Sequence, residues 1–218
     1  ILLPDYPFKT SSDTEVLLAA YIKWGADCVH HFKGMFAFAI WDKQERSLFL
    51  ARDRMGVKPL YFYTHNEFLL FASESRAILA SDLIPRQIDH QALVEYFSYQ
   101  SIGFPKSMVK GVQQMEAGSW MMIKDNQVEK KIYWVITDAD KYAHYDFSNR
   151  PGVQKKIRDL LRNAVAGRMV SDVPVGAFLS GGIDSSAIVG LMAEVSDRPV
   201  NTFNISFDES EFNEAPYA

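Results

Sequence analysis

Hydrophobic and polar positions change their period along this chain, and each change predicts an element. Leu17, Ala20, Tyr21 and Trp24 recur at helical intervals behind Ser12-Asp13-Thr14-Glu15, which has the spacing of a capping box with Ser12 as N-cap and Glu15 at N3. A helix is expected there, ending near Gly25. From Gly34 the pattern shortens to β-rich runs over residues 35–41, 47–51, 59–63 and 68–72, separated by polar turns such as Asp42-Lys43-Gln44-Glu45 and Arg54-Met55-Gly56. Consecutive runs of this kind predict an antiparallel meander. Short helices are expected over 74–81 and 89–100, and a Gly-turned pair, 119–123 with 128–134, returns to the sheet.

Residues 137–150 are polar, rich in Asp and Tyr, and close on Arg150-Pro151-Gly152. They make the expected linker between a first domain over 1–136 and a second over 151–218. Beyond the linker the pattern changes class. Val153, Ile157, Leu160, Leu161, Ala164 and Val165 share one face of a helix, and 173–179 is an almost uninterrupted apolar run suited to a strand buried on both faces. Residues 185–195 read as helix and 200–207 as a second strand, so the spacing predicts a βαβ unit with parallel strands and a right-handed crossover.

Composition removes several classes of function. With 48% hydrophobic and 23% charged residues, the chain has a globular balance, and disorder is excluded. The formal net charge of −4 comes from lysines and arginines scattered among acids, so there is no basic footprint for nucleic acid. No apolar stretch is long enough to span a bilayer. Cys28 is the single cysteine, which rules out an intramolecular disulfide and fits a reducing compartment. The sequence opens on Ile1-Leu2-Leu3-Pro4 without an initiator Met and stops on Asn213-Glu214-Ala215-Pro216-Tyr217-Ala218, which reads as the first turn of a helix. A piece of a longer protein is the expectation.

The sharpest chemical feature is Leu179-Ser180-Gly181-Gly182-Ile183-Asp184-Ser185-Ser186, where the buried strand is expected to end and a helix to begin. Gly181 and Gly182 can take positive φ and leave no Cβ in the way, so backbone N–H groups can close on an anion. Ser185 and Ser186 add hydroxyls at the helix start. The helix dipole contributes only roughly 0.3–1 kcal/mol, so a bound polyphosphate also depends on charge-assisted hydrogen bonds of roughly 1.5–3 kcal/mol each. A plain βα turn, with Asp184 as a helix-capping acid, is the alternative reading of the same residues. Neither the Lys of a G-x-x-x-x-G-K-[ST] loop nor the spacing of G-x-G-x-x-G is present.

This segment resembles the S-G-G-x-D-S pyrophosphate loop of the N-type ATP pyrophosphatases. Further stretches resemble the glutamine-hydrolysing asparagine synthetases, in the same order: Ser12-Asp13-Thr14-Glu15-Val16, Gly34-Met35-Phe36-Ala37-Phe38-Ala39, Ala51-Arg52-Asp53-Arg54-Met55-Gly56-Val57-Lys58-Pro59-Leu60-Tyr61, Phe71-Ala72-Ser73-Glu74 and Val173-Pro174-Val175-Gly176-Ala177-Phe178-Leu179. The resemblance implies an α+β glutaminase portion of the N-terminal nucleophile type, an antiparallel sheet with helices, followed by the start of an α/β parallel-sheet ATP pyrophosphatase domain. It implies that Asp13 contacts bound glutamine, against the plainer reading of a first-turn acid stabilised by the helix dipole. It further implies an ATP site formed by Leu179, Ser180, Gly181, Gly182, Asp184, Ser185, Ser186 and Ile205, with Asp184 also beside Mg²⁺. Ile205, in a strand core, meets the adenine or is simply a core residue.

The family's glutaminase nucleophile is an N-terminal Cys, expected upstream of Ile1, and its aspartate-binding segments are expected after Ala218. Cys28 is read as a buried, inert thiol. Arg52-Asp53 and Lys58-Pro59 are read as hairpin-shaping residues without a catalytic role, and Met115-Glu116-Ala117-Gly118 departs from the family's usual Pro-Gly turn. The implied activity of the parent protein is ATP-dependent asparagine formation with glutamine as amide donor. The small-molecule partners are glutamine, aspartate and ATP, with Mg²⁺; the setting is the cytoplasm, the assembly a homodimer, and this piece alone is inactive. The alternatives are a related amidotransferase acting on another carboxylate, such as a cell-surface sugar, a peptide or a β-lactam precursor, and a non-catalytic nucleotide-binding module.

Overall fold

The computed structural model describes residues 6–65, 68–137, 146–209, 211 and 213–218. The chain divides into two compact units, Ile1–Asp138 and Ala139–Ala218. Most of the expected linker, residues 138–145, lies outside the described residues, and its last residue, Arg150, opens a helix with Pro151 and Gly152.

The first unit begins with α1, Asp13–Trp24, where the Ser12 hydroxyl accepts from the Thr14 N–H at 3.2 Å as an N-cap should. Only half of the expected capping box forms. The Glu15 carboxylate accepts from the backbone N–H groups of Lys9 and Thr10 and from the Thr10 hydroxyl, while the Ser12 N–H goes to Thr10 Oγ1. Three donors upstream satisfy Glu15 better than the single Ser12 amide would. After Gly25, a 3₁₀ turn over Gly25–His30 carries Cys28 and Val29 into the core.

Strands β1, Ala37–Asp42, and β2, Ser47–Arg52, form the expected hairpin. The expected meander stops there. Strand β3, Tyr61–Thr64, does not pair with β2; it pairs with β4, Leu69–Ala72, and with the two-residue β5, Gln113–Gln114, in a second sheet ordered β4-β3-β5. The free edge of β2 is taken by β6, Ser119–Lys124, followed by β7, Gln127–Ile132, in an antiparallel sheet ordered β1-β2-β6-β7. The reason lies in the turn after β2, where Arg52 and Asp53 fold residues 54–58 back on themselves instead of into a hairpin.

Alternation along β2 sets the layers. Phe49 and Ala51 pack with Ala19, Ala20, Cys28, Val29 and Trp120 under α1, while Leu50 packs with Leu60, Phe62, Met115 and Met121 against the second sheet. The four-stranded sheet is therefore apolar on both faces at its centre. Beyond the second sheet, α2, Ser75–Leu79, contributes Ile78 to a third cluster with Ile84, Val109 and Val112. Helix α3, His90–Tyr99, starts where Asp89 accepts from the Gln91 and Ala92 N–H groups, both at 3.0 Å. This antiparallel framework with helices is the expected fold class.

In the second unit α4 runs Arg150–Arg168, capped by Asn149 at the Gly152 N–H, with Pro151 in its first turn where no N–H is missed. Strand β8, Gly176–Phe178, then α5, Ile183–Val195, then β9, Asn201–Phe203, make the expected βαβ unit, and β8 and β9 are parallel. Val165 of α4 and Leu191 and Met192 of α5 pack with Val175, Ala177 and Val200. The two strands are shorter than their apolar runs, and burial on both faces is not observed. Phe178 and Phe203 are 75% and 57% exposed on the other face, because the described residues supply helices to one side only.

Candidate functional site

Two places in the chain have the chemistry of a site, one in each unit. The first is a cleft of about 520 Å³ whose walls include Asp13, Lys33, Gly34, Phe36, Lys58 and Ser73. Asp13 occupies the first turn of α1, exposed at the mouth, with the Thr14 hydroxyl 3.5 Å from its Oδ1. A carboxylate and two lysines on the walls of one cleft match the two charges of a zwitterionic amino acid.

Beneath this cleft lies a polar knot that sequence reasoning treated only as hairpin shaping. Asp53 is 1% exposed, yet its carboxylate accepts four backbone N–H groups: Met55 at 3.1 Å and Val57 at 3.0 Å on Oδ1, Phe36 at 3.2 Å and Lys58 at 3.0 Å on Oδ2. Its own N–H donates to Phe36 O at 2.8 Å, and its carbonyl accepts from the Gly56 and Gly118 N–H groups. Arg52 supplies the complementary donors, Nε to Lys58 O at 2.8 Å, Nη2 to Gly56 O at 2.6 Å and Nη1 to Met115 O. Burial lowers the Arg52 pKa, and Asp53 opposes that shift. One residue thus closes the amides of the 54–58 loop and its neighbour closes the carbonyls. The available signal was an Arg-Asp pair directly ahead of a glycine-containing turn and Lys58-Pro59.

Cys28 is buried at 0% exposure, and desolvation pushes its thiol up to about 11, so it is protonated at neutral pH. The Met115-Glu116-Ala117-Gly118 turn places Gly118 at φ 63°, where an added Cβ would stand 2.5 Å from the Trp134 carbonyl.

The second place is the β8–α5 loop. Leu179 donates its N–H to Phe203 O at 2.8 Å and accepts from the Asn204 side-chain amide at 2.7 Å, which ties the loop's start to the end of β9. Ser185 turns back into the loop: its Oγ accepts from the Ser180 N–H at 3.3 Å, lies 3.1 Å from Ser180 Oγ and donates to Gly182 O. Of the two loop glycines only Gly181 uses positive φ, at 76°. Gly182 is the extended N-cap of α5, φ −73° and ψ 155°, a conformation open to any residue, so the expectation of a special backbone holds at one glycine and not at both. Ser186 stands on the first turn of α5 and gives its N–H to Gly182 O, leaving its hydroxyl as the group it can offer.

The first N–H groups of α5 have no intrahelical carbonyl to bond, and Asp184 sits in the same first turn. Among the described residues no three His, Cys, Asp or Glu side chains gather to hold a metal. Asp184 is the acid in the first turn of α5 and offers one carboxylate there. Ile205 lies past the end of β9, 66% exposed, so it is not in a strand core as expected; its neighbour Asn204 donates its side-chain amide to Leu179 O. The structure thus gathers Leu179 to Ser186 with Ile205 in one unit and sets Asp13 in the other.

Comparison with known proteins agrees with this division. A family described as glutamine amidotransferase domain matches residues 3–134, and one described as asparagine synthase matches 156–218. "Putative asparagine synthetase [glutamine-hydrolyzing] 2" of Methanocaldococcus jannaschii is 42% identical over 214 residues, 96% of this chain and 40% of its own length. "Asparagine synthetase [glutamine-hydrolyzing] 3" of Bacillus subtilis is 36% identical over 211 residues, covering 94% of this chain and 34% of its own. "Amidase chry2" of Gibberella zeae is 33% identical over 195 residues, 89% of this chain and 28% of its own. The chain spans two-fifths or less of the length of these relatives. It belongs to the glutamine amidotransferase domain family, joined in one chain to asparagine synthase sequence as in the glutamine-hydrolysing asparagine synthetases.

Proposed function

We propose that the protein makes asparagine from aspartate, ATP and glutamine. Glutamine is held in the first-unit cleft, with its ammonium group on Asp13, and its side-chain amide is hydrolysed by water to give glutamate and ammonia. In the second unit the Leu179–Ser186 loop would hold the phosphates of ATP: N–H groups and the Ser186 hydroxyl would meet the anion, joined by those of Ser180 and Ser185 once released from their bonds within the loop, Asp184 would hold Mg²⁺ to neutralise phosphate charge, and Ile205 would flank the adenine. An oxygen of the aspartate side-chain carboxylate attacks the α-phosphorus, pyrophosphate leaves, and the acyl carbon then carries AMP as a good leaving group. Ammonia attacks that carbon, loses a proton, and expels AMP to leave the amide. Water must be kept from the acyl carbon while ammonia arrives.

The observation that carries this reading is the S-G-G-x-D-S loop at the start of α5, in the same chain as a cleft lined by Asp13, Lys33 and Lys58. ATP–pyrophosphate exchange by the full-length protein tests it: exchange that depends on aspartate is expected, and exchange with a different acid alone would sink the substrate assignment. The likeness to "Amidase chry2" favours a second reading, in which the chemistry is kept and another carboxylate is the acceptor. We propose the cytoplasm as its setting and a homodimer as its assembly, a state that light scattering of the intact protein checks. Among the described residues no helix is long and apolar enough to cross a membrane.

A further inference from the structure

Asp53 is the one buried acid in the chain's described core, and it touches two walls of the first-unit cleft at once. Its Oδ2 accepts from Phe36 and from Lys58, residues that both line the cleft and lie on separate segments, one leading into β1 and one leading towards β3. A second bond, from the Asp53 N–H to Phe36 O, fixes the first of these segments through both backbone groups of Phe36. Arg52 grips the second at Lys58 O. A carboxylate that only shaped its own turn would be satisfied by Met55, Val57 and Lys58; the bond from Phe36 to Oδ2 joins that turn to a segment 17 residues away.

We propose that Asp53 is a positioning residue for glutamine hydrolysis: its carboxylate holds the Phe36 segment and Lys58 at the separation that glutamine requires. The inference rests on the reading of this cleft as the glutamine site. An asparagine at 53 keeps one accepting oxygen and turns the other atom into an NH₂ donor facing two N–H groups. Either the Met55/Val57 pair or the Phe36/Lys58 pair then loses its acceptor. A purely structural acid would on removal lower the amount of active protein, reducing kcat and leaving KM alone; an acid that sets the cleft's width changes KM for glutamine.

The test is steady-state glutaminase kinetics of the full-length protein carrying Asp53→Asn, beside Asp13→Asn, with thermal melting of each. The expected result is a rise in KM for glutamine of roughly tenfold or more in Asp53→Asn, the size of one lost charge-assisted hydrogen bond, exceeding any fall in kcat. An unchanged KM with kcat reduced only in step with the folded fraction overturns the inference. Asp13→Asn separates the two readings. If it leaves KM unchanged, the cleft is not the glutamine site; if it raises KM and Asp53→Asn does not, the cleft stands and the positioning role falls. Should Asp53→Asn not accumulate folded, Arg52→Lys carries the same test, because lysine keeps the charge but cannot reach the Gly56, Lys58 and Met115 carbonyls together.

Discussion

Gly181 carries a backbone demand that no other residue type meets at low cost. At φ 76° an alanine would adopt a left-handed conformation, and its methyl would come 2.5 Å from Tyr217 Cβ. Gly181→Ala is expected to destabilise the second unit by about 1–2 kcal/mol, read from chemical denaturation, and to weaken ATP binding in calorimetric titration. Cys28 makes a different residue-scale prediction. Its thiol titrates near 9 when exposed and near 11 in the fold, so the unfolded chain releases its proton first as the pH rises. Its contribution is intact below pH 9 and is lost between 9 and 11. A thiol reagent at pH 8 should leave native protein unmodified and react fully after denaturation. The serine, glycine and aspartate groups of the β8–α5 loop were legible from sequence because their geometry is local, all within a few residues of the helix start. The role of Asp53 was not, since Phe36 lies 17 residues away and nothing in the spacing marks it as a partner.

At the scale of elements, α1 shows how a local rule can be half obeyed. The Ser12 cap was readable, whereas the destination of Glu15 depended on a segment upstream with three donors to offer. The Thr10 hydroxyl and then the Lys9 amide hold the Glu15 carboxyl below its ordinary 4.5. A depressed carboxylate stabilises the fold above its unfolded value, and that contribution disappears as pH falls through the folded one. Glu15→Gln should therefore melt below the parent at pH 7 and converge with it in acid below pH 4.5. A gap that persisted there would mean that packing, and not charge, anchors the segment before α1. Strand positions were visible in the alternation of residues 35–41 and 47–51, but strand partners were not. Pairing β2 with β6 in place of β3 is decided by how Arg52 and Asp53 fold the intervening turn. The two-residue β5 is too short for any period to show.

At the scale of the molecule, the two units rest on separate apolar clusters. Phe49, packed with α1 and Trp120, is the largest fully buried side chain of the first. Phe49→Ala should cost about 3–5 kcal/mol and shift a calorimetric transition belonging to the first unit. A transition assigned to Val165, Leu191 and Met192 should stay in place; one shared shift for all unfolding would show that the units melt as one. The change of class from antiparallel sheet to βαβ was legible because each half repeats its own period. The bareness of one face of β8 and β9 was not, because an apolar run announces what a strand wants to bury and not what is there to cover it.

The partnership of β2 with β6 also governs how the first unit comes into being. Its register joins Leu48 to Ile123 and Ala51 to Trp120, so the central strand waits for a neighbour made much later in translation. Until residue 124 has left the ribosome, the β1–β2 hairpin presents an open edge with nothing to zip against, and closing that long loop costs chain entropy before any contact repays it. Nascent chains halted short of β6 are therefore the ones that should attract holdase chaperones, and a few more residues of synthesis should release them.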